Sequence, residues 1–88
     1  MTAKEARHIA DNERARMIAS WTPIINKECK IILTKHIPKL AKKGEHKYND
    51  VYFAPATIRE EVEQMFKNYF EPLGYKASYE QKIIVIEW

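Results

Sequence analysis

Apolar side chains recur along the chain in two rhythms, one helical and one of period two. Over residues 3–20, Ala6, Ile9, Ala10, Ala15 and Ile18, with Trp21 just beyond, keep a rough helical spacing on a narrow, small-sided face. Thr2 and Glu5 have the spacing of a capping box, so the pattern predicts a first helix over 3–20. Thr22-Pro23 reads as a fresh start: threonine suits a cap and proline the first helical position. Beyond it, Ile25, Cys29, Ile32, Leu33, Ile37 and Leu40 form an apolar stripe, flanked by Ile24 and Ile31, and predict a second helix. Pro38 lies inside this stripe. Lacking an N–H, and with a ring that crowds the Thr34 carbonyl, it predicts a kink or break near Ile37. Lys42, Lys43 and Gly44 supply a helix C-terminus.

Glu45 to Asp50 is polar and reads as a loop, and Val51-Tyr52-Phe53 as a short strand ended by Pro55. Thr57 and Glu60 form a second capping box. Ile58, Val62, Met65, Phe66, Tyr69 and Phe70 follow as the clearest amphipathic helix of the chain. Pro72 and Leu73-Gly74 then turn the chain. Tyr75 to Tyr79 alternates apolar and polar, Glu80-Gln81-Lys82 interrupts, and Ile83 to Trp88 follows, which predicts a β-hairpin. Ile84, Ile86 and Trp88 point one way and Ile83 and Val85 the other. A one-sided sheet needs a single apolar face, so the second face of this strand asks for cover. The expected fold is one α+β domain over residues 1–88, in the order α-α-β-α-β-β. Its small three-stranded antiparallel sheet packs against helices on one face, with Tyr75, Ala77 and Tyr79 meeting the third helix.

Composition adds little until charge is followed along the chain. The net charge of +3 hides a polarity: residues 22–47 hold seven lysines against Glu28 and Glu45, whereas residues 48–88 hold four basic and seven acidic groups. No apolar stretch approaches the roughly 20 residues that cross a bilayer. Met1 to Arg7 has no apolar signal-peptide core, and the single Cys29 excludes an internal disulfide, so a cytoplasmic setting is expected.

Catalytic signatures are missing from the sequence. Gly44 and Gly74 read as helix stops, and His8, His36 and His46 lack metal spacing with one another or with Cys29. Cys29 sits on the apolar stripe and reads as a buried thiol. Glu60, Glu61 and Glu63 complement the positive end of their helix. No catalytic residue, cofactor or metal is therefore expected. Lys35, Lys39, Lys42 and Lys43 fall at spacings of three and four, with His36 and Lys47 beside them. Such a group reads first as a solvated face, and second as a phosphate or nucleic-acid contact. Against base reading, the region holds no arginine. Tyr48, Tyr52, Phe53, Tyr69, Tyr75, Tyr79 and Trp88 could stack on bases, but most of them fit the core periodicity better. Ile83, Ile84, Val85, Ile86 and Trp88 form a candidate association strand, joining another chain by an edge or a face.

Three stretches carry a resemblance: Ala3-Lys4-Glu5-Ala6-Arg7, Leu73-Gly74-Tyr75-Lys76 and Ile83-Ile84-Val85-Ile86-Glu87-Trp88. With the helix-helix-hairpin plan, they resemble a loose group of small, mostly uncharacterised proteins of tailed bacteriophages. Pro38 departs from that pattern. The resemblance implies a phage origin and action in the cytoplasm of an infected bacterium, and it supplies no catalytic residues. The expected function is a non-enzymatic accessory protein that binds and modulates a host protein and forms a homodimer or small homo-oligomer. The alternative is a nucleic-acid or anionic-ligand binder using the lysine-rich second helix.

Overall fold

The computed structural model describes residues 1–88. From Ala3 to Ala41 the chain runs as one rod: α1 (Ala3–Ile31), a π-helical turn (Ile32–His36) and α2 (Ile37–Ala41). Thr2 caps it as expected, its Oγ1 accepting the Glu5 N–H at 3.1 Å. The expected boundary at Thr22-Pro23 is absent, and Pro23 lies inside α1. An interior proline costs about 3 kcal/mol or more. Here the stripe of Met17, Ile18, Trp21, Ile25, Cys29 and Ile32 runs through it unbroken, and burial of that stripe on both sides holds the helix together. Pro23 itself is exposed. Thr22 does not cap but turns back, its hydroxyl donating to the Ile18 carbonyl at 2.7 Å.

Pro38 bends the rule rather than the rod. The preceding turn widens, with the Ile37 N–H donating to the Ile32 carbonyl five residues back. In a regular α-helix these two side chains would point ~140° apart. The wider turn brings both onto one face, where Ile32 is fully buried and Ile37 nearly so. The rod ends at Gly44, whose φ of +79° suits glycine. The Gly44 and Glu45 N–H groups donate to the Ala41 and Leu40 carbonyls, a Schellman closure. Gly74, at φ +94°, closes the third helix in the same way through the Glu71 and Phe70 carbonyls.

The first strand, β1, is Lys47–Val51, not Val51 to Phe53. It pairs antiparallel with β3 (Ile83–Glu87), which pairs antiparallel with β2 (Lys76–Glu80), so β3 is central and the order is β1-β3-β2. Of the five β1 residues only Tyr48 is buried. An edge strand is held by its backbone bonds to one neighbour and needs no apolar alternation, which is why its polar sequence reads as loop. Tyr48, Ile86 and Ala77 share one row of the inner face, and Ile84 and Tyr79 the next.

A 3-10 turn (Ala56–Ile58) leads into α3 (Arg59–Phe70). Thr57 does not cap it. The turn tucks Ile58 fully into the core, so the helix starts without a side-chain cap. Val62, Phe66 and Phe70 line the buried face of α3, which lies between α1 and the sheet. The core joins Ile25, Cys29, Ile32 and Ile37 of the rod to this helix and to the inner sheet face. The α+β class and the three-stranded antiparallel sheet stand as predicted, and Ala77 and Tyr79 are buried with Tyr75 half-buried against Phe70.

The outline is long. The extents are 57 × 21 × 20 Å and the radius of gyration is 15.6 Å, against about 12 Å for a compact chain of this length. Residues 1–16 are all exposed. They form an arm beyond the body, tethered by an ion pair between Arg14 and Glu61.

Candidate functional site

Where the rod ends and β1 begins, the surface sinks into a depression of about 310 Å³. His36, Lys39 and Lys43 enter it from the rod at spacings of three and four, with Leu40 between them. The Gly44 turn brings the chain back, so Lys47, Tyr48 and Asn49 form the other wall. Of the six residues grouped from sequence, four converge here, and Lys35 and Lys42 lie outside the lining. His36 stacks on Tyr48, with ring centroids 5.3 Å apart and planes 21° from parallel. The widened turn before Pro38 sets that approach. Burial, with Asp50 nearby, pushes the Tyr48 phenol up to about 12, so it stays neutral at ordinary pH. Glu45 is the one carboxylate on the lining. The ion pairs of the chain are Arg14–Glu61, Arg16–Glu13 and Lys67–Glu63, so none of these lysines has an anionic partner.

The candidate association strand divides. Ile84 and Ile86 are buried in the core, and Trp88 packs half-buried against Tyr75 at 6.1 Å. Only Ile83 and Val85 face outward. The expectation of an edge that joins another chain is corrected: β3 is hydrogen-bonded on both sides and offers no free edge. What it offers is a face. Ile83 pairs with Val51 across the sheet, and they are 43% and 53% exposed; Val85 is half-buried beside them. Phe53, 70% exposed, stands next to this patch with the Lys82 ammonium 5.5 Å from its ring centre. The sequence places Val51 and Phe53 in a short strand and groups Phe53 with aromatics that fit the core, whereas its ring is exposed. Pairing ends at Val51, and Phe53 lies beyond the ladder, two residues before Pro55. The same face carries Lys47, Glu87 and Lys76 at one end and Glu80 at the other.

Other chemistry-bearing groups are occupied by structure. Cys29 is fully buried, and desolvation, then the nearby Glu28, pushes its thiol up to about 12. Glu63 accepts the Tyr79 N–H at 2.9 Å and approaches Lys67 at 3.9 Å. The Glu61 carboxyl is held below the usual carboxylate range by its own backbone N–H and then by Arg14. Glu60, Glu63 and Glu80 line a second depression of about 460 Å³ with Arg59, yet no three metal-binding side chains converge anywhere in the chain. No charged or polar side chain is fully buried. No helix is long and apolar enough to cross a membrane. Comparison with known protein families, with curated proteins and with solved structures finds no match to this chain.

Proposed function

We propose that this chain is a non-enzymatic interaction protein, a phage accessory factor that binds and modulates a host protein, and that it self-associates through the outer face of its sheet. The observation that carries the reading is the uncovered apolar patch of Val51, Ile83, Val85 and Phe53. A one-sided antiparallel sheet ordinarily turns polar residues to water. The phage assignment rests on the three resembling stretches and on nothing in the fold.

Charge supports a second copy as one occupant. A two-fold axis across the strands reverses strand direction between stacked faces. It sets Val85 over its own copy, Lys76 over Glu80, and Val51 and Ile83 over Lys47 and Glu87, on the registers Ser78↔Val85, Lys76↔Glu87, Glu80↔Ile83, Lys47↔Glu87 and Val51↔Ile83. The sheet is small: five residues at about 3.3 Å and three strands about 4.8 Å apart give a footprint of roughly 240 Å². That is well under the roughly 800 Å² per partner of a stable interface, so the homodimer is weak, with a dissociation constant on the order of micromolar or larger. A weak self-contact leaves the face free to exchange its copy for a host protein.

Sedimentation equilibrium from about 5 to 500 μM is expected to show a monomer–dimer equilibrium. The double variant Val51→Lys, Ile83→Lys should remain monomeric with an unchanged far-UV spectrum. The same variant should lose a host protein captured from nuclease-treated bacterial lysate. A wild-type chain that stays monomeric throughout the range overturns the self-association, and capture that survives the double variant overturns the use of this face.

A further inference from the structure

We infer that the depression between the end of the rod and β1, bounded by His36, Lys39, Lys43 and Lys47, binds successive phosphates of a nucleic acid strand. Three ammonium groups from two separate elements converge on one concavity, and none has a carboxylate partner. Lysines that merely solvate a helix spread around its outer face, whereas Lys47 comes from a strand and closes the depression from the opposite wall. His36 makes no hydrogen bond within the chain, and its ring plane is fixed by Tyr48, which leaves its N–H free to donate. An exposed ammonium paired with a single anion gains little. A strand presenting several phosphates engages the three lysines together and meets Lys35 and Lys42 on the flanking helix face.

The depression holds no arginine fork, and its two aromatic rings, His36 and the buried Tyr48, are stacked on each other. Base edges and base faces therefore go unread, and binding is independent of sequence and governed by counterion release. Lys47 lies on the outer sheet face, at the opposite end from Val51 and Ile83.

The test is fluorescence anisotropy with a labelled 20-nucleotide single strand and its duplex, between 20 and 200 mM salt. Three phosphate contacts on a single strand contribute a log–log salt slope of about −2. The triple variant Lys39→Gln, Lys43→Gln, Lys47→Gln should flatten the slope by about that amount and weaken binding at least tenfold at low salt. A charge-matched triple, Lys4→Gln, Arg7→Gln, Lys27→Gln, should change affinity less than threefold. Glu45→Gln removes the only carboxylate on the lining and should tighten binding two- to threefold, a readout that does not depend on the triple variant folding. Three outcomes overturn the proposal: no binding of either probe at 20 mM salt, equal loss in both triples, or no gain from Glu45→Gln. Competition by inorganic phosphate as effective as unlabelled strand at equal ionic strength would assign the site to a single anion and overturn it as well.

Discussion

Deleting one oxygen atom tests how the segment after β1 is fastened to the hairpin. Tyr79 is 3% exposed, and its hydroxyl donates to the Tyr52 carbonyl while accepting the Ala54 N–H at 3.3 Å. Its ring packs 6.0 Å from Phe66 and 6.3 Å from Tyr52. Tyr79→Phe keeps those ring contacts and leaves two backbone groups without partners in a half-buried setting. A hydrogen bond is worth about 0.5–1.5 kcal/mol net, and a stranded buried group costs about 1–3 kcal/mol. The longer N–H bond sits at the low end and water reaches part of the site, so about 2 kcal/mol is expected. In a domain of this size that lowers Tm by roughly 8–16 °C. Urea denaturation followed by far-UV circular dichroism should show the midpoint fall with the m-value unchanged. Tyr75→Phe is the control: Tyr75 is half-buried among Phe70 and Trp88 but its hydroxyl makes no bond within the chain. Its loss should cost under about 0.5 kcal/mol, the range of changes away from specific contacts. If Tyr79→Phe matches the control, residues 52–55 are held by packing alone and the reasoning fails.

Three further predictions concern the thiol, the raised tyrosines and the hairpin turn. Because burial pushes Cys29 from an ordinary 9.0 up to about 12, iodoacetamide at pH 8 should modify it only at the rate of unfolding; fast native-state labelling would contradict its burial. Tyr48 and Tyr52 are also raised, from 10.0 to about 12. All three groups favour their neutral forms in the folded chain, so their contribution is full below pH 9 and is lost as pH climbs toward 12, which thermal melts across that window would read. Gln81 and Lys82 carry φ of +50° and +64°, a turn that favours Asn-Gly. Gln81→Asn with Lys82→Gly should relieve about 1–2 kcal/mol of strain less part of the Lys82–Phe53 contact, raising Tm by about 4–8 °C. A fall in Tm would show that the turn is not strained.

Legibility in the sequence followed the physics of each element. The third helix and the final hairpin were readable because Val62, Phe66 and Phe70, then Ala77, Tyr79, Ile84 and Ile86, each repeat at the period of the element that buries them. Thr22-Pro23 misled because cap chemistry is local, whereas the apolar stripe that carries α1 past it is not. The wide turn at Ile32 to His36 was unreadable in advance: a proline announces a lost bond, and only the buried pair of Ile32 and Ile37 decides how the helix absorbs it. For the basic site, the rod lysines were visible as spacing, but their meeting with Lys47 depends on the Gly44 turn and on an edge strand with one buried residue. The outward patch was half visible, since Ile83 and Val85 showed in the alternation while Val51 and Phe53 needed the sheet register.

The exposed arm of the rod has a practical consequence for anyone weighing this protein. A radius of gyration of 15.6 Å belongs to a compact chain of about 170 residues, close to twice the 88 present. A gel-filtration column sorts by drag rather than mass, so a solitary copy elutes ahead of a compact chain of the same mass. Clipping the arm at residue 16 would move the peak without altering how many chains it contains.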